Sequence, residues 1–222
     1  MKPRLDHIVI GAHTLAQGVA YVKEILGVEM PFAGVHPQMG THNHLMQLGR
    51  DVFLEVIAIN PESDITAGPR WYGLDDPFVR RRIERQPTLL TWVVNTTDIH
   101  DLLQRAAIAF GKPQRIHRGA LSWDFGVTDD GRMIAGGLLP YVIQWHTGFH
   151  PASKMADLGC RLQALEIYHP LPQWIEAVLA SIDAADLVTI HSLPKDATPC
   201  LIAHLETPRG IIRLKSSGGM LP

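Results

Sequence analysis

The order of predicted secondary-structure elements repeats along this chain of 222 residues. The segment LDHIVIGA has the alternation and β-branched residues of a strand, and QGVAYVKEILGV places its apolar residues at helical spacing before Gly27, which suits a helix C-cap. A weak strand and the hairpin THNHLMQLG–RDVFLEVIAI close the unit. The order returns at LLTWVV and again at LQALEIYHP, with a period of roughly 75–85 residues that is longer than the period of solenoid repeats.

This repetition limits the folds that the chain can adopt. One such unit forms an open sheet with a bare face, and pairing two units buries that face and leaves a cleft for a ligand. We therefore predict an α+β protein with paired modules at 4–60 and 87–150, joined by a Pro-, Gly- and charge-rich connector at 61–86 with one helical turn. A third, partial βα-β unit at 160–216 is expected to pack on the same domain.

Composition removes several classes of partner. The formal charge is −2 and the pI is near 6.6, which gives no electrostatic footprint for nucleic acid or an anionic membrane surface. Cys160 and Cys200 have neither a disulfide framework nor zinc-ribbon spacing. No apolar run approaches the roughly 20 residues of a membrane-spanning helix. The sequence thus predicts a soluble, cytoplasmic protein.

Two ionisable residues stand inside apolar strands. His7 lies in LDHIVI and Glu55 lies in FLEVIAI. A buried carboxylate needs a partner, and a metal ion is one of the few that suffices. A lone His near the start of a strand is also compatible with a satisfied core or rim position, so Glu55 carries more of the argument for a metal or acid–base site.

Several segments together resemble the vicinal oxygen chelate superfamily, and in particular its glyoxalase-like branch. They are LDHIVIGA, the helix ending at LGV, GTHNH, FLEVIAINP, RGALSW, LLPYVIQWH, HPLP and TPRG. The resemblance covers nearly the whole chain, and it depends on the order and spacing of these segments more than on any one motif.

The resemblance implies two βαβββ modules that curve into an incomplete barrel around a divalent cation. Each module would offer a metal ligand from its first strand and another from its last, and the first module supplies His7 and Glu55. The second module departs from this pattern, since it offers Thr91 opposite His7 and Gln144 opposite Glu55, with His146 as a further candidate ligand. Mn, Fe, Ni or Zn would suit such a ligand set.

The function implied is that of a small-molecule lyase, isomerase or dioxygenase whose substrate chelates the metal through two neighbouring oxygens. Glu55 would serve as ligand or as base. His42 and His44 share one strand face, where they would shuttle protons if directed inward and would be solvated if directed outward. The alternative is a metal-free protein that binds or sequesters a small molecule. The expected partner is a small-molecule substrate, and neither nucleic acid nor a membrane is expected. The sequence is also compatible with a homodimer.

Two further features allow a structural and a functional interpretation. Trp71, Tyr72, Trp123 and Trp145 are either core residues or an aromatic pocket wall. The arginine run at 80–82 is either a solvated helix face or an anion-binding surface.

Overall fold

The computed structural model describes residues 2–64 and 69–216. Its first module has the predicted order of strand, helix and three strands. Thr14 caps the helix by accepting a hydrogen bond from the Gln17 N–H at 3.2 Å, and Gly27 ends it with a left-handed φ of 77°. The elements are β1 (Arg4–Gly11), α1 (Leu15–Leu26), β2 (Phe32–His36), β3 (Thr41–Gly49) and β4 (Val52–Ile59).

The second module repeats this order after the connector. The connector contains more helix than the single predicted turn, because Asp76 and Pro77 begin a helix of nine residues, α2 (Pro77–Arg85). Residues 65–68 of the predicted connector lie outside the described residues. The second module consists of β5 (Thr88–Asn95), α3 (Ile99–Arg105), β6 (Lys112–Arg118), β7 (Leu121–Val127) and β8 (Tyr141–Trp145).

The two modules share one sheet with the strand order β2-β3-β4-β1-β5-β8-β7-β6. They join through the antiparallel pair β1–β5, while β1 runs parallel to β4 and β5 runs parallel to β8. At the open seam the Gln38 side chain donates to the Arg115 carbonyl at 3.2 Å and accepts from the His117 N–H at 2.9 Å. The sheet is therefore the incomplete barrel that the sequence predicts.

The barrel strands are apolar on both faces because each face meets its own core. One cluster lies inside the barrel and includes Val9, Ile57, Phe125 and Ile143. The other lies outside the barrel, where Ile8 and its neighbours pack against helices and a second sheet. A side chain of β1 or β4 that points into the barrel is thus withdrawn from bulk water.

The third unit forms a four-stranded sheet of its own, in the order β10-β9-β11-β12. It has more strands than the predicted partial unit, and its first strand is central, whereas β1 of the first module pairs with the last strand of that module. Its elements are β9 (Arg161–His169), α4 (Pro172–Ser181), β10 (Thr189–Ser192), β11 (Cys200–Thr207) and β12 (Gly210–Lys215). Among the described residues, no helix has the length and apolar character needed to cross a membrane.

Candidate active site

His7 and Glu55 lie side by side inside the barrel. Parallel pairing sets His7 beside Phe53 and Val9 beside Glu55, so the two ionisable side chains are one strand apart on the inner face. His7 is 3% exposed and Glu55 is 4% exposed. The His7 Nε2 atom is 3.6 Å from Glu55 Oε2, and the His7 ring stacks on Phe53 at 4.3 Å between centroids.

Asp6 fixes the other nitrogen of His7. The carboxylate of Asp6 lies 2.5 Å from His7 Nδ1 and also accepts from Trp145 Nε1 at 2.8 Å and Asn95 Nδ2 at 3.1 Å, with His150 Nε2 at 2.9 Å. A register shift in the β1–β5 ladder between Leu5 and His7 allows neighbouring residues of one strand to meet. Asp6 is fully buried. A carboxylate bound to one ring nitrogen of a histidine fixes the orientation of the ring and of its other nitrogen.

The charge of Asp6 depends on these hydrogen bonds. Burial by itself raises the pKa of Asp6, but hydrogen bonds from His150 and His7, with the charges of the same two rings, outweigh burial and hold the pKa well below its usual range. Asp6 is therefore an anion at neutral pH. His7 consequently stands between two carboxyl groups, those of Asp6 and Glu55.

Glu55 is oriented by the neighbouring strand and by the connector. Asn43 Nδ2 on β3 donates to Glu55 Oε1 at 2.7 Å. The Tyr72 hydroxyl lies 3.2 Å from His7 Nε2 and also interacts with the Glu55 carboxylate. Burial and the charge of Glu55 raise the pKa of Tyr72 well above its ordinary value, so the phenol keeps its proton at neutral pH.

Tyr72 reaches this position through an unusual backbone conformation. It is 2% exposed and has φ 58° and ψ 20°, a left-handed region that a bulky residue rarely adopts. Its N–H donates to the Tyr141 hydroxyl at 3.2 Å, and the N–H of the next residue, Gly73, donates to the Gly131 carbonyl at 2.8 Å. These contacts from the second module hold the strained residue over the site.

Arg118 and His36 complete the polar wall at the barrel seam. Arg118 Nη1 donates to Asn43 Oδ1 at 3.1 Å and lies 3.2 Å from His36 Nε2. Burial, with the positive charge of Arg118, lowers the pKa of His36 to about 3, so that ring is neutral. Nε2 of His36 then accepts from Arg118 and Nδ1–H donates to Thr41 Oγ1 at 3.1 Å.

The second module places other residues at the positions of His7 and Glu55. The β1–β5 ladder relates the two modules by two-fold symmetry. His7 lies opposite Val93, and Val9 lies opposite Thr91. The symmetry therefore places Thr91 where the first module has His7, as predicted. Glu55 pairs with Val9, and Tyr141 pairs with Val93. The counterpart of Glu55 is therefore Tyr141, which corrects the prediction of Gln144.

Gln144 and His146 lie away from the barrel interior. The side chain of Gln144 accepts from the Ile99 N–H at 2.8 Å, at the start of α3 on the outside of the sheet. His146 Nε2 is 2.8 Å from Asp124 Oδ2. Ile143 and Trp145, which alternate with Gln144, line the inner pocket instead. The structure thus brings neither predicted second-module ligand to His7 and Glu55.

His42 and His44 also point away from the site. They alternate with Asn43 and Leu45, which line the inner pocket, and they share a face with Met46, which belongs to the outer core. His44 Nδ1 lies 2.7 Å from the Met30 carbonyl. Both histidines therefore point out of the barrel, where they are half-buried. Asn43 is the β3 side chain that contacts Glu55.

The donor atoms around His7 fit one divalent cation. Within residues 2–64 and 69–216, no group of three or more His, Cys, Asp or Glu side chains could hold a metal ion. However, two ligands at about 2.0–2.2 Å from one ion stand roughly 3.0–3.6 Å apart, and His7 Nε2 is 3.6 Å from Glu55 Oε2. The pocket volume of about 30 Å³ leaves room for one ion or a water molecule.

Sequence reasoning missed five polar residues of the site: Asp6, His36, Asn43, Arg118 and His150. Asp6 carried a usable signal, since a second acid beside His7 in an apolar strand also needs a partner. His150 and Arg118 carried none, because His150 lies in the segment after β8, Arg118 is the last residue of β6, and both reach the site only through the tertiary fold. Trp71, Tyr72, Trp123 and Trp145 do form an aromatic pocket wall.

Two βαβββ modules paired in one barrel-like sheet are the architecture that the resemblance to the vicinal oxygen chelate superfamily implies. The model of the glyoxalase-like domain family matches residues 5–182 of this chain. The chain therefore belongs to that family, which confirms the resemblance seen in the sequence. The matched range extends past the paired modules and includes β9 and α4.

The chain is similar to several solved structures at low sequence identity, and the first of them supports the fold. A hypothetical protein from Staphylococcus aureus aligns with a TM-score of 0.56 and 14% identity, over 97% of this chain and 85% of that chain. A 4-hydroxymandelate synthase mutant from Streptomyces coelicolor gives a TM-score of 0.47 and 16% identity, over 97% and 62%. Methylmalonyl-CoA epimerase from Mycobacterium tuberculosis gives 0.40 and 15%, over 64% and 85%. No curated protein matches the chain.

Proposed function

We propose that this protein is a divalent-metal-dependent enzyme of the lyase, isomerase or dioxygenase type. Its substrate is a small molecule that presents two neighbouring oxygens. The observation that carries the proposal is the buried pair His7–Glu55, in which each side chain is oriented by its own polar partner, Asp6 or Asn43. Such second partners are typical of metal ligands and of catalytic acids and bases.

His7 and Glu55 are the residues that would hold the ion, a Mn, Fe, Ni or Zn cation. When bound, such an ion polarises the neighbouring oxygens of a substrate and stabilises the negative charge that develops on them. The charge of the pocket supports a cation, because Glu55 has no Lys or Arg within ion-pair distance among the described residues. A buried carboxylate without a full positive partner is costly.

The chain's own groups have complementary acid–base properties. Glu55, an acceptor at the inner end of the pocket, takes a proton from a substrate carbon, or it stays a metal ligand. Tyr72 keeps its proton at neutral pH and so supplies a hydrogen-bond donor to a substrate oxygen. Asp6 holds the His7 ring in one orientation with Nε2 directed at the pocket. The surrounding aromatic side chains exclude bulk water.

Metal binding is tested on protein purified without a histidine tag. We expect elemental analysis to find a divalent metal, and we expect added Mn²⁺, Ni²⁺ or Zn²⁺ to raise the melting temperature of chelator-treated protein. His7→Ala and Glu55→Gln should lose both properties. The matched control His146→Ala alters a histidine on the outside of the barrel and should keep both. Equal metal binding by the control and by His7→Ala would contradict the proposal.

The reaction type is tested separately. A panel of 2-oxo acids, 2-hydroxy acids and catechols is incubated with the protein in D₂O, and exchange of the C–H next to the carbonyl is followed by NMR. Exchange that is lost in Glu55→Gln would support proton abstraction, as in a lyase or an isomerase. Oxygen uptake with a catechol, measured with an electrode, would instead support a dioxygenase. The absence of both exchange and oxygen uptake across the panel would count against an enzyme.

The second candidate is a metal-free protein that binds or sequesters a small molecule. Thr91 and Tyr141 favour it, because they stand where the second module would carry two further ligands. The Thr91 hydroxyl already donates to a backbone carbonyl, Trp92 O at 3.4 Å. Stoichiometric uptake of a ligand by metal-free protein, without turnover, would favour this candidate. For both candidate functions, the cytoplasmic location is a prediction from the sequence.

A further inference from the structure

An apolar groove opens beside the inner pocket, between the start of β2 and the segment that follows β8. Its volume is about 310 Å³, at the lower end of the range of small-molecule sites. Phe32 and Phe149 stand on it with 58% and 46% of their surfaces exposed. The groove is lined mainly by apolar side chains, which include Pro31, Phe32, Leu45, Leu121, Phe149 and Met155. We call it the Phe32–Phe149 groove.

Arg118 and Leu45 belong to both the groove and the inner pocket. Arg118 ends β6, and its aliphatic stem passes 3.1 Å from the place where a Cβ atom on Gly34 would stand, so the glycine gives it room. The guanidinium is therefore located at the junction between the apolar groove and the side chains around Glu55. Asn43 connects the two, since it accepts from Arg118 and donates to Glu55.

The guanidinium of Arg118 donates to protein from one edge only. Nη1 contacts His36 and Asn43, both of them neutral. Among the described residues, Nε and Nη2 donate no hydrogen bond to protein and are open to water, and no carboxylate lies within ion-pair distance of Arg118. The guanidinium carbon lies 5.9 Å from the centre of the Trp123 ring. Arg115, two residues earlier on the same strand, is by contrast paired with Asp124.

The open edge of this half-buried guanidinium has water as its only partner. Burial lowers the pKa of Arg118, and the more distant charge of Glu55 offsets this only in part. The Nε and Nη2 edge presents two parallel N–H donors, which match the two oxygens of a carboxylate. An anionic group bound there would satisfy the edge, and its attached chain would extend along the groove.

We propose that the Phe32–Phe149 groove binds the apolar chain of a carboxylic acid and that Arg118 binds its carboxylate. This assignment rests on the proposed function, because it makes that carboxylic acid the substrate of the His7–Glu55 site. The carbon next to the carboxylate would then face Asn43 and Glu55.

Binding is measured by calorimetry with butyrate, hexanoate and octanoate, in buffer with a chelator. Each added methylene should tighten binding about fourfold until the groove is filled. Octanol and octylammonium test the need for the anion and should bind far more weakly than octanoate. Equal binding of octylammonium and octanoate, or no binding of any of the three acids, would overturn the proposal.

Variants locate the anion site. Arg118→Gln should weaken octanoate binding about 10- to 100-fold and leave octanol unchanged. Arg115→Gln, on the same strand, should bind octanoate like the wild type. Lys154 also lines the groove and is the competing cation there. Loss of binding in Lys154→Gln with retention in Arg118→Gln would contradict the assignment.

A second variant keeps the test valid if Arg118→Gln does not fold. Leu121 is the cross-strand neighbour of Arg118. Leu121→Asp would place a carboxylate beside the guanidinium and should compete with octanoate while the fold is retained. Unchanged octanoate binding in folded Leu121→Asp would count against the proposal.

The two proposals fail in different ways. Glu55→Gln should abolish turnover and metal binding but keep octanoate binding in the chelator buffer. Absence of metal and of turnover, with Arg118-dependent octanoate binding intact, would reject the proposed enzyme and leave the carboxylate site. Turnover of a substrate whose kcat and KM are both unchanged in Arg118→Gln would reject the carboxylate site alone.

Discussion

The two modules of the barrel have the same fold but different chemistry at corresponding positions. The first module presents His7 and Glu55 to the interior, and the second presents Thr91 and Tyr141. Tyr141 accepts a hydrogen bond from the Tyr72 N–H, so the second module positions a residue of the connector and does not duplicate the ionisable pair. Strand pairing conserves positions in space, whereas the side chain at each position decides whether it binds, reacts or supports.

The largest expected difference between the modules is between a buried acid of the first and a surface acid of the second. Asp6→Ala removes a fully buried carboxylate that holds His7, His150, Trp145 and Asn95. Because several donors would lose their acceptor, the free energy of unfolding should fall by about 3–5 kcal/mol. Urea unfolding followed by circular dichroism measures this change.

The control is a surface acid of the second module. Asp129 pairs with Lys112, and the two side chains are 77% and 74% exposed. Water can replace this contact, so Asp129→Ala should cost at most about 1 kcal/mol. Equal losses in the two variants would show that the interior of the first module is no more sensitive than the surface of the second.

A pH-dependent difference of intermediate size is expected from His36. Its pKa is near 6.5 when unfolded and about 3 when folded. Between these values the unfolded chain binds one more proton, so stability contributed by neutral His36 is complete above pH 6.5 and is lost as the pH falls toward 3. The loss amounts to about 1.4 kcal/mol per pH unit.

His36→Gln should remove this slope, so the variant and the wild type differ less at pH 4 than at pH 7. Exposed His117, on the second module, gives the control: His117→Gln should leave the wild-type slope in place. Urea unfolding at pH 7, 5.5 and 4 measures the three proteins. Parallel profiles for the wild type and His36→Gln would exclude a neutral buried ring at this position.

The smallest expected effect distinguishes the structural role of Tyr141 from the metal-binding role proposed for Glu55. Tyr141→Phe loses the hydroxyl that accepts from Tyr72, which should cost about 1 kcal/mol of stability while the thermal response to added metal persists. Glu55→Gln should show the reverse, with that response lost and the stability of metal-free protein kept. The comparison fails if Tyr141→Phe abolishes the metal response and Glu55→Gln preserves it.

The sequence by itself determined the modular order, the family and the ionisable pair His7–Glu55. These features are local, because period-two alternation, helix caps and an acid in an apolar strand can be recognised within a few residues. The alternation also showed that His42 and His44 share a face, although it did not show which face lies inside the barrel.

Only the tertiary structure decided which other groups complete the site. The ladder register makes Tyr141, not Gln144, the counterpart of Glu55, and a one-residue change of register exchanges the faces of a strand. The connector brings Tyr72 over His7, and the barrel seam brings Arg118 to Asn43. These contacts join residues 65 and 75 positions apart in the chain, and long-range packing rather than local pattern creates them.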